Sequence, residues 1–363
     1  MATRRIGFEA GFEAGFEAGF ESDAEALATS QPAQKRGAIA IDPVIWNDWY
    51  VLARSADVPA GAVWRSRLLD TGIVLWRSAD GAVQAWRDRC PHRSVQLSKG
   101  RVEGDRLVCP YHGLAFDPGG RCVSVPAHPG YVPPPQSHAE TYAVQERYGL
   151  IYACLGEPAQ DIVDFPEWHE PGYRGLIAGP YTIHTSGLRA IENFLDVTHL
   201  PILHAGILGS PQHPEIADYE VQVTSAGVVA RNLRIWQPDP YGTGSGGEVV
   251  YDYRVERPLA AHLRKPNPNG ENLALLYHVT PVSETECVGW MAMALNFGQE
   301  IPDADLIAFQ DRIVNQDLDN LESHDPPHLP LDASLEFHLP GDRTSLAYRK
   351  WLRQLGVRYG VMI

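Results

Sequence analysis

Four side chains that bind transition metals occur in two short and similar segments of the sequence. The first segment contains Cys90 and His92, and the second contains Cys109 and His112, with sixteen residues between His92 and Cys109. A proline follows each cysteine directly. Because each segment supplies one thiolate and one imidazole, the two cysteines can bind one iron and the two histidines can bind a second iron of the same cluster. The chemistry of such a centre is the transfer of single electrons.

This ligand set is that of a Rieske [2Fe-2S] cluster, in which imidazoles replace two thiolates and raise the reduction potential to roughly −150 to +300 mV. The alternative is a structural zinc site, since two cysteines and two histidines also suit tetrahedral zinc. Zinc fingers place their cysteines together and their histidines together, whereas here each cysteine is paired with a histidine. The spacing therefore favours the iron–sulfur cluster.

A second pair of histidines, His199 and His204, lies five residues apart and follows Asp196. Such a pair is also common among ordinary surface or core residues. On an unbroken helix the two rings would point in different directions, but Pro201 between them disturbs the helix and allows both imidazoles to converge on one ion. With one carboxylate they would form the two-histidine, one-carboxylate site of non-haem Fe(II) oxygenases.

The missing carboxylate is predicted to come from a later helix, from Asp303 to Ser323. At roughly 100° per residue, Asp317 projects close to the middle of the apolar face, whereas Asp319 lies on the opposite side and Asp311 near the edge. A buried carboxylate is costly unless it is paired or bound to a metal, so Asp317 is the predicted ligand. The apolar residues that define this face are Leu306, Ile307, Phe309, Ile313, Val314, Leu318 and Leu321.

The elements that must position these motifs fall into two groups. Short β-like runs with turn signals between them predict a small antiparallel β domain, residues 41–160, that carries the two Cys/His segments. Residues 161–363 are predicted to form a catalytic domain: a helix from about Ser186 to Leu200, then β-like runs between Asp218 and Asn296 that form one antiparallel sheet, then the helix with Asp317. A basic helix from Ser345 to near Arg358 ends the chain. The expected fold class is α+β.

Residues 1–40 differ from the rest of the chain. From Gly7 to Glu21 the tetrapeptide Gly-Phe-Glu-Ala is repeated almost perfectly. A glycine in every copy costs about 1 kcal/mol relative to alanine in a helix, so this segment is predicted to be a disordered or weakly helical extension. Its acidic repeats resemble neither a secretory signal nor a transit peptide.

The two metal motifs, in this order, resemble those of the α subunit, or terminal oxygenase, of Rieske non-haem iron oxygenases of the single-subunit type. The resemblance covers about residues 45–360. Ser94 stands where many members have glycine after Cys-Pro-His-Arg, a departure that touches no ligand. The matching motifs are Cys90-x-His92 with Cys109-x2-His112, Asn193-x2-Asp196-x2-His199-x4-His204, and Asp317-x4-Glu322.

The resemblance implies a Rieske domain, a helix-grip (START-like) catalytic domain and a head-to-tail homotrimer. It implies that electrons cross between subunits, from His112 of one chain through Asp196 of the next to His199, and that Asn193 and Asp196 have catalytic roles. The implied cluster ligands are Cys90, His92, Cys109 and His112, and the implied ligands of a mononuclear Fe(II) are His199, His204 and Asp317.

The reaction implied is O2 activation, with hydroxylation or oxidative demethylation of a small aromatic or heterocyclic substrate. No reductase fold is visible in the sequence, so a separate NAD(P)H-dependent reductase, with or without a ferredoxin, would supply the electrons. Single-chain members more often resemble monooxygenases and demethylases than dioxygenases. The sequence suggests that pocket residues lie within 205–216 and 277–295 without choosing among them.

The composition limits the possible binding partners and the possible cellular compartment of the protein. The chain has 363 residues, 44% hydrophobic and 21% charged, as in globular proteins, and no apolar run is long enough to cross a membrane. The formal charge of −15 argues against nucleic acid as a partner. The three cysteines outside the cluster motif are expected to be packed apolar thiols, which suits a reducing cytoplasm.

Two rival functions remain open at this point. One is an electron-transfer protein with a Rieske cluster and no oxygenase activity, and the other is a zinc-stabilised binding module. The terminal helix, with Arg349, Lys350 and Arg353, has two interpretations: a docking surface for an acidic donor or a neighbouring subunit, or an ordinary solvated face.

Overall fold

Short strands and tight turns build the N-terminal half of the molecule in the computed structural model, which describes residues 41–363 apart from positions 241 and 243. The predicted N-terminal extension, residues 1–40, lies outside the described residues. After a short helix α1, six strands pair antiparallel in the order β1-β10-β9-β4-β3-β2, and four shorter strands pair in the order β5-β6-β7-β8. The bounds are α1 (Pro43–Trp46), β1 (Tyr50–Arg54), β2 (Val63–Leu68), β3 (Thr71–Arg77), β4 (Val83–Arg87), β5 (Arg101–Glu103), β6 (Arg106–Val108), β7 (Ala115–Phe116), β8 (Cys122–Ser124), β9 (Thr141–Arg147) and β10 (Leu150–Cys154).

Three aromatic side chains join the six-stranded sheet to the four-stranded one. Trp76 of β3 and Trp86 of β4 meet edge to face with ring centroids 5.1 Å apart, and Trp86 meets Phe116 of β7 at 6.4 Å. All three are fully buried, in one apolar cluster with Cys90 and Cys109. This packing fixes the small sheet, and with it the two Cys/His segments, against the larger sheet.

A seven-stranded antiparallel sheet dominates the second half, in the order β11-β17-β16-β15-β14-β13-β12. The strands are β11 (Arg174–Ile183), β12 (Glu220–Thr224), β13 (Gly227–Gln237), β14 (Gly247–Arg257), β15 (Ala260–Pro266), β16 (Asn272–Ser283) and β17 (Glu286–Leu295). The remaining elements are α2 (Gly187–Leu195), α3 (Leu200–Leu203), α4 (Asp303–Glu322), β18 (Leu329–Pro330), α5 (Arg343–Gln354) and β19 (Val361–Met362). Single 3-10 turns occur at Ser55–Asp57, Leu97–Lys99, Pro135–Ser137, Pro166–Trp168 and Ala333–Leu335.

The predicted fold class, α+β with two antiparallel sheets and flanking helices, is confirmed. The β-like runs predicted between residues 218 and 296 all lie in strands of the seven-stranded sheet, and the helix predicted from Asp303 to Ser323 spans Asp303–Glu322. The sequence did not predict β11 or β15. Both sheets share one continuous apolar core, since β1 packs against β16 and Thr280 Oγ1 donates a hydrogen bond to the carbonyl of Val51 (2.5 Å).

The prediction of one helix from about Ser186 to Leu200 is wrong in its last third, after Leu195. Helix α2 begins at its N-cap Ser186, whose hydroxyl accepts a hydrogen bond from the Leu188 amide, and ends at Leu195. Asp196 is extended (φ −75°, ψ 125°), and its carboxylate accepts hydrogen bonds from the Thr198 amide (2.7 Å) and hydroxyl (2.5 Å). A side chain that bonds its own backbone two residues on competes with the helix, so the break comes from Asp196 rather than from Pro201, which instead lies in the first turn of the short helix α3.

The basic terminal helix also differs from its prediction. Arg349 is 5% exposed and pairs with Glu192 of α2 (2.5 Å) and with Glu336 (2.5 Å). Neither interpretation of the helix holds for Arg349, because an arginine in the interior with two carboxylate partners can neither dock a protein nor face solvent. Lys350 and Arg353 are exposed. The apolar side of α5, with Tyr348, Trp351 and Leu352, packs into the core.

The five cysteines are all buried and unpaired, as expected for Cys122, Cys154 and Cys287. Within the described part of the chain, no helix combines the length and the apolar character that a membrane crossing requires.

Candidate metal centres and active-site cavity

The two Cys/His segments form loops with the same backbone hydrogen bonds. In the first loop the Cys90 amide donates to the Val95 carbonyl (2.8 Å) and the Ser94 amide donates to the Cys90 carbonyl (2.9 Å). In the second loop the Cys109 amide donates to Leu114 (2.9 Å) and the Gly113 amide donates to Cys109 (3.2 Å). The two loops therefore present their ligands in the same way, one from each side of the site.

Ser94 and Gly113 occupy the same position in the two loops, and both have left-handed backbone torsions, with φ of 59° and 70°. Glycine adopts this conformation without steric cost, and a non-glycine residue pays for it. The serine at position 94 therefore stands at a backbone position that favours glycine. Its hydroxyl accepts a hydrogen bond from Arg89 Nε (3.0 Å).

The structure brings the two predicted cluster histidines close to each other and the two predicted cluster cysteines close to each other. The rings of His92 and His112 lie 4.8 Å apart between centroids and are exposed, while Cys90 and Cys109 are each 1% exposed. Burial, with a smaller contribution from the adjacent Cys109 thiol, raises the pKa of the Cys90 thiol to about 11. A buried pair of thiols is poorly suited to ionise unless a cation stabilises it. The donor set of two buried sulfurs and two exposed imidazoles fits a Rieske cluster.

The structure also brings His199, His204 and Asp317 together, although they come from three separate parts of the chain. His199 and His204 flank helix α3, and Asp317 projects from α4. Asp317 Oδ1 lies 3.2 Å from His204 Nε2 and 3.5 Å from His199 Nε2, and one possible ligand atom from each residue lies within 4.8 Å of the other two. The side chains are 18%, 1% and 13% exposed for His199, His204 and Asp317.

The local hydrogen bonding shows that these three side chains fit a cation. Asp317 Oδ1 is buried and accepts no hydrogen bond, even though two imidazole nitrogens lie close to it. A buried carboxylate oxygen without a partner is costly, and a metal ion between the three side chains removes that cost. Two imidazoles and one carboxylate are the donor set typical of a non-haem Fe(II) site with open positions.

Each histidine of this site has its second ring nitrogen held by a hydrogen bond. His199 Nδ1 donates to Asp196 Oδ2 (3.1 Å), and His204 Nδ1 donates to Gln316 Oε1 (2.9 Å). Burial opposes ionisation of Asp196, but the contacts from His199 and Thr198 outweigh it and lower the pKa of that carboxyl. Likewise burial would lower the pKa of His204, yet Asp317 and Gln316 raise it. The carboxylate of Asp196 therefore accepts a hydrogen bond from the Nδ1–H group of His199, which leaves Nε2 directed at Asp317.

A cavity of about 290 Å³ opens beside these three side chains. Its walls come from the seven-stranded sheet, from α2 and from α4, and they are mostly aliphatic and aromatic. Asn193 and Asp196 also line it. Further lining residues include Phe194, Ile207, Leu208, Gln237, Tyr251, Lys265, Leu275, Tyr277, Met291, Met293 and Phe309.

The sequence predicted part of this lining. Ile207 and Leu208 fall in the predicted segment 205–216, and Tyr277, Met291 and Met293 fall in 277–295. Gln237, Tyr251 and Lys265 were missed, because they lie on strands that had no functional motif. Gln316 was missed too, since a glutamine next to the metal-binding aspartate carries no sequence signal of its own. Phe309, predicted to be buried on α4, is 45% exposed at the cavity.

The other acidic residues of α4 have different partners. Asp311 accepts a hydrogen bond from the Tyr181 hydroxyl (2.6 Å), and Asp319 is exposed. Glu322, the last residue of the late motif, accepts a hydrogen bond from the His184 amide (3.0 Å). Of the acidic residues on α4, Asp317 is the one grouped with the two histidines.

Comparisons with known proteins match two separate segments of the chain, one with each metal motif. A family model described as the Rieske [2Fe-2S] domain matches residues 48–143, and one described as the vanillate O-demethylase oxygenase C-terminal domain matches residues 183–358. The chain is 31% identical over 300 residues to methylxanthine N1-demethylase NdmA of Pseudomonas putida, an alignment that covers 80% of this chain and 81% of that protein.

Two solved structures have the same fold along most of the chain. The structure of NdmA from Pseudomonas putida CBB5 with caffeine matches with a TM-score of 0.76 and 28% sequence identity, over 85% of this chain and 90% of that one. Dicamba monooxygenase bound to dicamba matches with a TM-score of 0.73 and 25% identity, over 86% of this chain and 97% of that one.

Proposed function

This chain belongs to the Rieske non-haem iron oxygenases. From that membership we propose the class of its substrate and the residues that bind its metals. It is an oxygenase subunit that binds a Rieske [2Fe-2S] cluster and a mononuclear iron. We propose that it hydroxylates, or oxidatively demethylates, a small aromatic or heterocyclic compound. The observation that carries this proposal is the largely apolar cavity beside His199, His204 and Asp317.

The proposed ligand sets follow from the geometry. Cys90, Cys109, His92 and His112 would hold the cluster, in a Rieske domain proposed to span residues 41–160. His199, His204 and Asp317 would hold the iron, in a catalytic domain proposed to span residues 161–363. When bound, the cluster supplies single electrons and the ferrous iron supplies the capacity to activate O2.

The protein groups around the iron site orient and shield it. Asp196 and Gln316 fix the two imidazole rings through their Nδ1 atoms, so that both Nε2 atoms face Asp317. The apolar walls exclude water from the oxidation site and bind the hydrocarbon part of a substrate. Asn193 lines the same cavity, with its side chain available to a substrate or to a water at the iron.

Demethylation is the more specific proposal. A cavity of about 290 Å³ accommodates a substituted ring with a small side group. The relatives include a methylxanthine demethylase and a monooxygenase solved with dicamba. Hydroxylation of a methyl group on nitrogen or oxygen gives an unstable product that loses formaldehyde, so formaldehyde is the expected by-product.

We propose that the electrons come from a separate protein and pass between copies of this chain. A separate NAD(P)H-dependent reductase, with or without a ferredoxin, would reduce the cluster. We propose a homotrimer in which His112 of one copy lies near Asp196 of the next, because the cluster histidines are exposed and the Asp196 side chain is 27% exposed. The five unpaired thiols support a reducing compartment, for which we propose the cytoplasm.

The test is substrate-dependent O2 uptake with a surrogate reductase and NADH, over a panel of small aromatic and N-methyl compounds. We expect at least one compound to stimulate O2 uptake and to yield a hydroxylated product or formaldehyde. The matched control is Asp317→Ala, which should accept electrons into its cluster at the normal rate without oxidising any compound. Normal cluster reduction in the wild-type protein with no product from any compound would favour an electron-transfer protein.

A further inference from the structure

A single lysine lies among the apolar side chains of the active-site cavity. Lys265, on β15, is the only lysine or arginine among the described residues that line this cavity. Its Nζ donates hydrogen bonds to Gln237 Oε1 (3.0 Å) and to the carbonyl of Pro240 (3.2 Å). An ammonium group has three N–H donors, so two have partners in the protein and one is left for a ligand.

The surroundings of Lys265 do not neutralise its charge. Its partners are both neutral, and no carboxylate of the described residues lies within ion-pair distance of Nζ. Burial is the sole cause that lowers the pKa of Lys265, to about 8. The carboxylate that lines the cavity outside the metal site is that of Asp239, which is exposed and accepts a hydrogen bond from the Gly244 amide (3.0 Å). A partly buried cation without a counter-ion is costly and is well placed to bind an anion.

Hydrogen bonds fix the side chain of Gln237, the residue that accepts a hydrogen bond from Lys265. Gln237 is 1% exposed, and its Nε2 donates to the Tyr251 hydroxyl (2.8 Å) and to the carbonyl of Leu208 (3.3 Å). Because both amide hydrogens of Gln237 are used in this way, its Oε1 faces Lys265. The chain Tyr251, Gln237 and Lys265 forms a fixed polar group in a cavity that is otherwise largely apolar.

We propose that Lys265 binds an anionic oxygen group of the substrate, so that the substrate is a small ring bearing one carboxylate, sulfonate or comparable acid group. This inference rests on the proposed function, since it takes the cavity as the substrate site. Apolar walls such as Leu275, Met291 and Met293 contact the ring, and Lys265 fixes its acidic end. The group to be oxidised is then the substituent away from the acid, directed toward His199, His204 and Asp317.

Charge-assisted hydrogen bonds are strong where water is excluded. An anionic compound should therefore bind more tightly than a neutral compound of the same shape. The probes are 4-methoxybenzoate and its neutral analogue 4-methoxybenzamide, with 4-methylbenzenesulfonate as a second anion. Binding is measured by isothermal titration calorimetry on the anaerobic holoenzyme, without reductase. For the wild-type protein we expect at least one of the two anions to bind about tenfold more tightly than the amide, or better.

The variants separate charge from packing. Lys265→Met keeps a long unbranched side chain and should lose the preference for the anion while binding the amide as before; Lys265→Gln serves the same purpose if the methionine variant fails to fold. Lys265→Arg should keep part of the preference. Lys350→Met, which removes an exposed lysine elsewhere, should behave as wild type. Iron content and thermal unfolding are measured for each variant.

The proposal is overturned if the wild-type protein binds the amide as tightly as both anions, if it binds none of the three compounds, or if the preference survives in Lys265→Met. In each of these cases Lys265 has only the structural role of joining β15 to Gln237 and Pro240. The proposed oxygenase function would stand independently, because O2 uptake with a neutral substrate and the iron content are measured separately.

Discussion

Each imidazole of the catalytic site has one nitrogen fixed by the protein and one directed at Asp317. His199 is oriented by Asp196 and His204 by Gln316, at 3.1 and 2.9 Å. Such partners set the tautomer and the direction of a metal-binding ring. The unpartnered oxygen of Asp317 lies where the two Nε2 atoms converge. These four contacts distinguish a site built for a cation from a chance cluster of polar residues.

Replacement of Asp317 tests the ligand assignment. We expect Asp317→Ala to lose the mononuclear iron and to keep the cluster, so that iron falls from about three to about two per chain. The measurement is iron and acid-labile sulfide with the visible spectrum of the cluster. Asp319→Ala, an exposed aspartate two residues along the same helix, is the matched control and should keep all the iron. If Asp311→Ala lost the iron instead, the assignment from the helical face would be wrong.

Replacement of Gln316 tests the orientation of His204. Gln316→Leu removes the acceptor for His204 Nδ1 at similar volume, and we expect the affinity for ferrous iron to fall by about 10- to 100-fold. Competition with a ferrous chelator measures this. Gln316→Glu keeps an acceptor and should retain most of the affinity. Equal iron affinity for the leucine variant and the wild type would mean that the ring is held by packing alone.

Side chains with a motif were predictable, and side chains without one were not. The periodicity of α4 selected Asp317 from several acidic residues because one face of that helix packs against the sheet. Gln316 precedes Asp317 in the chain, yet nothing in the sequence distinguishes it from the other polar residues of α4. Gln237 and Lys265 lie on β13 and β15, with β14 between these strands in the sheet, so only the folded sheet brings the two side chains together.

The break between α2 and α3 explains how two histidines five residues apart reach the same point. Asp196 ends α2 by bonding to Thr198, and the short helix α3 begins at Leu200, with Pro201 in its first turn. The same carboxylate, through its other oxygen, holds His199. One residue therefore sets both the backbone path and the ring orientation, which a prediction based on proline alone did not anticipate.

Helix α2 is held in place by a buried group of charges. Arg349 of α5 pairs with Glu192 of α2 and with Glu336, and Arg189 of α2 also pairs with Glu336 (2.8 Å). Burial raises the pKa of Glu192 despite the two arginines nearby. The loss of Arg349 would leave Glu192 in the interior without its main partner.

Arg349→Met should therefore destabilise the protein by about 3 kcal/mol, which corresponds to a fall in Tm of roughly 4 °C for a chain of this length. Its neighbour Lys350 is exposed, so Lys350→Met should change stability by no more than about 0.5 kcal/mol. Thermal unfolding of the holoprotein, followed by circular dichroism, compares the two variants. Equal Tm values for Arg349→Met and the wild type would show that the buried pairs add no net stability.

The two metal sites differ in how far their side chains are exposed to solvent. The cluster histidines are exposed, and Tyr111, whose ring centroid lies 3.9 Å from that of His112, is 61% exposed. The iron site is largely buried and is reached through the cavity. An exposed cluster next to an exposed aromatic ring suits contact with an electron donor or with a second copy of the chain.

Replacement of Asp196 tests the proposed route between subunits. Asp196→Asn keeps the shape of the side chain and removes its charge, and we expect both metals to remain bound while turnover coupled to NADH falls by at least about tenfold. Iron content, light scattering and product per NADH measure the three parts of this statement. Full activity in the variant would discard the route through Asp196. A monomer in solution at working concentration would discard the trimer.

The arrangement of the larger elements was easier to predict than the contacts between them. Two groups of β-like runs and one long amphipathic helix are visible in the sequence because their periodicities are local. The strands β11 and β15 lack a clear pattern, since β11 contains glycines and Pro180 and the second half of β15 is Arg-Lys-Pro. The contact between the sheets through Val51 and Thr280 depends on residues far apart in the chain.

The most direct test of the account is the iron and acid-labile sulfide content of the anaerobically purified protein, measured together with its visible and EPR spectra. The account predicts about three irons and about two sulfides per chain, with the spectrum of a Rieske cluster and one further ferrous iron. About two irons and two sulfides, even after reconstitution with ferrous iron, or a colourless protein that holds zinc, would contradict it.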